Sequence, residues 1–423
     1  MNGRLQFVRS KRWMQLIVAS VGVVGVGLTG CSQTAVSMRQ AIDQPNSSAA
    51  TAPQPDRSAI ADAEALVAIG PRVAGTPATE QASRYLEEAF RQAGYATEVQ
   101  TFTYSKFVDR GSTLTAGGFT LEGRAFNGST SGNLTASLVA VPNVGRTEDF
   151  AQVDVRGAIA IVQRGEIRFL EKANNAARAG AIGLVIVNTE ADNFWGTLGG
   201  EAAIPVLSLG GAEGQTLLSG STSDSVTLNV NAIEETVTGR NVIAYMEGVT
   251  QPEVLLGAHY DSVAGSPGAN DNASGTAVLL DLARQMSDTP LAHQAWFVAF
   301  DGEEDGLHGS RSFVRNAQPQ FLSQLRAMLN FDMVGINDRL EVSGAESLTS
   351  LAKSVDGSIA TVGESGGSDH IPFADADVPV LFFTRGMEPN YHSPRDRQVN
   401  ASLLDETARI SIALLERLLT SGS

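Results

Sequence analysis

From Arg240 to the C-terminus, apolar runs alternate with amphipathic stretches, and this alternation narrows the possible folds more than any other feature of the chain. Residues 254–259, 295–300, 327–332 and 378–384 are nearly continuous apolar runs bounded by turn-forming residues. Runs this short, without polar alternation, suit strands buried on both faces. Residues 275–286 place Val278, Leu279 and Leu282 at helical spacing, a further helix begins over 311–316, and 403–419 reads as a closing helix. Strand–helix alternation of this kind predicts an α/β fold with a mostly parallel central sheet covered by helices. In such sheets, functional side chains gather in the loops at the carboxyl ends of the strands.

Acids and imidazoles stand at just those places. His259 and Asp261 follow the first run, Asp271 lies in a turn-rich stretch leading into a helix, and Glu303 and Glu304 follow the second run. Asp332 closes the third run between Phe331 and Met333, where an unpaired carboxylate would be costly. His392 comes before the last helix. Taken singly, each residue has a commonplace reading: a surface histidine, a solvated acidic pair, a turn cap. Together they are the inventory of a two-metal hydrolase. Imidazole nitrogen and carboxylate oxygen suit zinc, two metals can share one carboxylate and a water, and a spare carboxylate can move a proton.

The rest of the chain has a different texture. Residues 60–94 read as two helices, the first stopped at Gly70-Pro71 and the second at Gly94, with a strand over 99–104. From about 105 to 237 short strand-like runs at 137–141, 158–163 and 183–188 are separated by Gly and Asn turns, with one helix over 167–179. No histidine occurs in this stretch and its carboxylates are scattered, so the chemistry is expected elsewhere. The expected organisation is therefore a catalytic part formed by 58–104 and 238–423, interrupted by an insertion over 105–237.

The N-terminus reads as a targeting signal. Arg4, Arg9, Lys11 and Arg12 precede an apolar, Gly-rich stretch that ends in Leu28-Thr29-Gly30-Cys31. Those four residues resemble a bacterial lipobox, which implies removal of residues 1–30 and lipidation of Cys31, the only cysteine in the chain. A two-chain lipid is enough for stable anchoring. Residues 31–57, rich in Ser, Ala, Thr, Gln and Pro, would then be a flexible tether. The expected location is outside the cytoplasm, anchored to the cell envelope; Ser32 favours the outer membrane if the bacterium has two. With 43% hydrophobic and 18% charged residues the composition is globular, and a formal net charge of -16 argues against nucleic-acid binding.

Several segments resemble known families. Residues 156–165, 172–180 and 203–206 resemble the protease-associated domain, a small β-rich insertion found in secreted peptidases. His259-Tyr260-Asp261, Asn270-Asp271-Asn272-Ala273-Ser274-Gly275, the stretch from Phe300 to Ser310, Asn330-Phe331-Asp332-Met333 and Tyr391-His392-Ser393 resemble the motifs of the secreted di-zinc aminopeptidases. These are the bacterial leucyl and Streptomyces-type enzymes, kin to glutamate carboxypeptidase. The resemblance implies a zinc-exopeptidase-like fold, two zinc ions and peptide substrates. It implies His259 and Asp332 on one zinc, Glu304 and His392 on the other, and Asp271 shared. It also implies Glu303 as general base, Asp261 behind His259, Tyr391 as an oxyanion donor, and a cis peptide between Asp271 and Asn272.

One departure stands out. Gly366-Gly367-Ser368-Asp369-His370 resembles a segment beside the substrate cleft, but some relatives carry Arg where this chain has Gly367. His370 either lines the cleft or anchors a loop, while His293 and His308 read as structural. The leading expectation is an aminopeptidase. Alternatives are a carboxypeptidase-like or glutaminyl-cyclase-like relative, and a binding protein that kept the fold without catalysis.

Overall fold

The computed structural model describes residues 58–194, 196–219, 225–363 and 366–420. The targeting segment, the tether and Cys31 lie outside the described residues. The chain divides into two compact units: one holds the described residues up to Gln100 and those from Arg240 onward, the other Thr101–Gly239.

The first unit opens with α1 (Ala59–Ile69) and α2 (Pro77–Gln92), followed by β1 (Ala96–Asp109), along which the chain enters the second unit. Ser58 caps α1, its hydroxyl accepting the N–H of Ala61, and Gly70 ends it. In the second unit, β2 (Ser112–Ala116), β3 (Phe119–Ala125), β4 (Gly132–Ala140), β5 (Ile159–Gln163), β6 (Gly183–Val187), β7 (Val206–Leu209) and β8 (Ser225–Val230) close into a barrel ordered β2-β3-β7-β6-β5-β4-β8. Alternate residues of β5 and β6 face two ways. Ile159, Ile161, Val185 and Val187 fill one cluster with Leu114 and Leu228. Ala160, Val162, Leu184 and Ile186 pack instead with Phe126, Phe150, Ala173 and Ala176. This two-sided burial explains why β5 and β6 are continuously apolar. Helices α3 (Thr147–Phe150), α4 (Phe169–Arg178) and α5 (Gly211–Ser219) complete the unit.

The chain leaves by β9 (Ala232–Tyr245) and builds the rest of the first unit. Strands β10 (Val254–His259), β11 (Ala295–Phe300), β12 (Ala327–Phe331), β13 (Glu341–Gly344), β14 (Ala360–Thr361) and β15 (Val380–Thr384) join β1 and β9 in an eight-stranded sheet ordered β1-β9-β11-β10-β12-β15-β13-β14. The sheet is mixed. β10 pairs in parallel with β11 and β12, and β12 with β15, whereas β9 runs antiparallel to β11 and β13 to β15. The antiparallel members have a reason. β9 arrives from the insertion and β13 follows β12 with no intervening helix, so neither is bound by the crossover that makes neighbours parallel.

Helices cover both faces. On one, Leu256, Phe297, Leu329 and Phe383 pack with Leu66, Leu86 and Phe90, with α6 (Gly275–Met286), with α9 (Glu346–Val355) and with α11 (Ala401–Thr420). On the other, Leu255, Trp296, Val298, Phe300 and Met328 pack with Phe313 of α7 (His308–Asn316), Phe321 of α8 (Pro319–Ser323) and Phe373 of α10 (Ile371–Ala374). His293 falls in a short 3-10 turn, just before β11 rather than within it, and His308 opens α7.

Candidate metal centre

The inner strands deliver the site. His259 is the last residue of β10, Asp332 follows the last residue of β12, Glu303 and Glu304 lie in the loop after β11, and His392 lies between β15 and α11. Asp271 sits in the irregular turn Ala269–Ser274, where it and Asn272 have non-helical backbone angles. The Asp271–Asn272 peptide is cis.

That turn ties the site together. The Asn272 side chain donates to the carbonyl of Phe331 (2.9 Å) and accepts from the amides of Gly275 (2.9 Å) and Met333 (3.3 Å). Asn270 accepts from Gly335 N–H (2.9 Å), and Ser274 Oγ from Val334 N–H (3.0 Å). Thr276 Oγ1 donates to the carbonyl of His259 (2.7 Å). The polar residues flanking Asp271 thus fix the loop after Asp332 and the end of β10, which is why so many buried side chains here are amides and hydroxyls. Leu307, Met333 and His392 have φ of 61°, 58° and 54°, in the left-handed region that non-glycine residues seldom occupy. All three lie beside or within the cluster, where such conformations concentrate in functional sites.

The side chains converge. His259 Nε2 lies 3.3 Å from both Asp332 Oδ1 and Asp271 Oδ1. His392 Nε2 lies 3.1 Å from both Asp271 Oδ2 and Glu304 Oε2. The two oxygens of Asp271 therefore face two different imidazoles. His259, Glu303 and Asp332 form one group whose nitrogen and oxygen atoms lie within 4.8 Å of one another, and His259, Asp271 and Glu304 form another. Asp261 lies behind them. It stands 3.5 Å from His259 Nδ1, too far for a closed hydrogen bond, and accepts the amides of Glu303 (3.2 Å) and Glu304 (3.3 Å). The Tyr391 ring stacks on His392 at 3.7 Å between centroids.

The electrostatics are those of a site suited to cations. Burial pushes Glu303 up to about 10, with Asp332, Asp369 and Asp261 repelling its charge against the pull of His259. Burial likewise pushes Glu304 up to about 7. Burial alone would lower His392, but its bonds to Asp271 and Glu304 outweigh that and carry it up to about 10. Acids forced to hold protons, and imidazoles recruited as cations, mark where divalent ions would balance the charge. Glu304 Oε1 and His259 Nδ1 are buried without a hydrogen-bond partner. Nitrogen and oxygen donors in this number and spacing fit zinc.

Sequence reasoning gave no role to three groups. Asp369 is fully buried, and burial pushes it up to about 7, with Asp261 and Asp332 repelling its charge against the pull of His259. Asp396 accepts the amides of Asn270 and Asp271. Arg72, fully buried, donates to the carbonyl of Tyr260. Asp369 lies within the segment 366–370 noted above; the other two act on backbone far away in sequence, and no local pattern announces them. His370 is buried, stacks on Phe382 at 4.5 Å and lines a cavity of about 560 Å³, and burial lowers it to about 4.

The chain is similar to known proteins. Residues 241–415 match peptidase family M28, and residues 134–217 match the PA domain. Aminopeptidase YwaD of Bacillus subtilis is 32% identical over 356 residues, covering 78% of this chain and 76% of the relative. The chain belongs to peptidase family M28. Another relative is the "Probable lipoprotein aminopeptidase LpqL" of Mycobacterium tuberculosis, 32% identical over 77% of this chain and 69% of that one. Among solved structures, an aminopeptidase from Aneurinibacillus sp. strain AM-1 superposes with a TM-score of 0.70 at 33% identity, covering 84% of this chain and 93% of that one. BSAP, a zinc aminopeptidase from Bacillus subtilis, superposes with a TM-score of 0.70 at 28% identity, covering 85% and 94%. The M28 chain described here thus carries a PA domain as an insertion.

Proposed function

We propose that this protein is a zinc-dependent aminopeptidase that hydrolyses the N-terminal peptide bond of peptides. The observation that carries the reading is the sharing of Asp271, whose two oxygens face His259 with Asp332 on one side and His392 with Glu304 on the other. Those residues would hold two zinc ions, with Asp271 common to both. When bound, the pair supplies Lewis acidity, polarising the scissile carbonyl and acidifying water at neutral pH.

The chain's own residues do the rest. Glu303 takes a proton from the attacking water as its oxygen bonds to the carbonyl carbon, and delivers it to the departing nitrogen as the C–N bond breaks. Asp261 holds the amides of Glu303 and Glu304 and faces the ring of His259, so base and ligands keep one register. Tyr391 offers a hydroxyl to the oxygen on which negative charge develops. Burial, reinforced by Asp271, Glu304, Asp332 and Glu303, raises its phenol and keeps it a donor.

Residues 58–104 and 238–423 would form the catalytic domain, with 105–237 as the inserted domain. Lipidation at Cys31 would anchor the enzyme to the envelope, facing the periplasm or the surface. No helix of the described residues is long and apolar enough to cross a membrane. The reading is tested with aminoacyl chromogenic substrates beside their N-acetylated counterparts. Cleavage of the free-amine substrates alone supports it, whereas equal cleavage of blocked peptides would turn it toward a carboxypeptidase or endopeptidase.

A further inference from the structure

We propose that Arg72 and Asp396 are positioning residues that hold segment 267–271 from opposite sides and so set where the Asp271 carboxylate stands. The proposal rests on the metal reading above. Arg72 lies between α1 and α2 and is fully buried. Its Nε donates to the carbonyl of Tyr260 (2.7 Å), Nη1 to those of Leu66 (3.2 Å), Gly70 (3.4 Å) and Pro267, and Nη2 to that of Gly268 (2.9 Å). All five are backbone groups. A guanidinium supplies so many donors in one rigid plane; a lysine supplies three from a single point.

Asp396 takes the other side. Its carboxylate accepts the amides of Asn270 (2.8 Å) and Asp271 (3.1 Å), and its own carbonyl accepts Ala269 N–H (3.2 Å). Five consecutive residues are thus pinned, the carbonyls of the first two by a cation and the amides of the last three by the acid residue. Gly268 makes the approach possible. Its φ is 60°, and a Cβ there would meet the Asp271 carbonyl oxygen at 2.3 Å and Arg72 Nη2 at 2.9 Å. Asp396 also stands four residues after His392, so one side chain links the His392 loop to the backbone of Asp271, whose carboxylate His392 faces. Burial lowers the Arg72 guanidinium to about 10, while Asp261, Asp396, Asp271 and Glu304 pull the other way, so its charge shares the field of the acids of the site.

The test is zinc retention, read by competition with a chromophoric chelator, on full-length Asp396→Asn and Arg72→Lys. Leu86→Ala, a core change in α2, serves as the control for lost stability. Asp396→Asn keeps the shape but gives up one of two carboxylate acceptors. Each variant is expected to release zinc at about 10–100-fold lower chelator concentration than the unsubstituted protein, as is typical when groups behind metal ligands are lost. Leu86→Ala should not shift. Retention equal to the unsubstituted protein, or a shift matched by Leu86→Ala, would overturn the proposal. If Arg72→Lys fails to fold, Asp396→Asn decides alone. Zinc content of the unsubstituted protein comes first: a chain that binds none sinks the metal reading, and one that binds zinc unaffected by Asp396→Asn sinks only the positioning role.

Discussion

Asp261 accepts the amides of Glu303 and Glu304 on its two oxygens while facing the His259 ring, so one buried acid holds the backbone of both glutamates beside that imidazole. Glu303 differs from its neighbour in having no imidazole within ion-pair distance, whereas Glu304 faces His392 at 3.1 Å. The proposed roles, proton carrier for Glu303 and ligand for Glu304, rest on that difference. Glu303→Gln keeps the shape and removes the basic oxygen. Its kcat should fall by about 10²–10⁴-fold, the usual size of a lost general base, with zinc content measured by metal analysis unchanged. A variant turning over near the normal rate would show that the base lies elsewhere. The cluster was legible as a set because each member ends an apolar run or sits in a turn. Arg72 and Asp396 were not, because their partners are backbone groups as many as 196 residues away.

At the scale of elements, the site depends on how closely the Asp271 turn approaches β12. A Cβ on Gly275 would meet the Phe331 carbonyl oxygen at 2.2 Å and Asn272 Oδ1 at 2.6 Å. Gly275→Ala must push α6 away from β12 and with it the loop that carries Asp332. The expected loss is about 1–3 kcal/mol, visible as a lowered urea midpoint in the metal-free protein; an unchanged midpoint would mean that the turn yields freely. The buried inner strands were readable because both faces need apolar side chains. The short strands β13 and β14 were not, since their pairing is supplied by neighbours rather than by local propensity. Helix α9 could have been found, for Leu348, Leu351, Ala352 and Val355 recur at helical spacing.

For the whole molecule, the sequence separated a histidine-free stretch from the part that carries every candidate ligand, and the structure divides at Gln100/Thr101 and Gly239/Arg240. The barrel's closure was hidden, because which strands meet at the seam is a long-range matter that alternation does not encode. Export and anchoring rest on the lipobox alone. Cys31→Ser should move the protein from the membrane fraction to the soluble fraction on sedimentation of the native host's envelope; a variant still sedimenting with membranes would refute lipid anchoring at that residue. The central claim is a peptidase that works through two zinc ions held by this cluster. Its most direct test is stepwise return of zinc to chelator-treated protein while cleavage of a free-amine aminoacyl substrate is followed. The account predicts no activity without metal and full activity at two zinc ions per chain; activity that survives complete metal removal would contradict it.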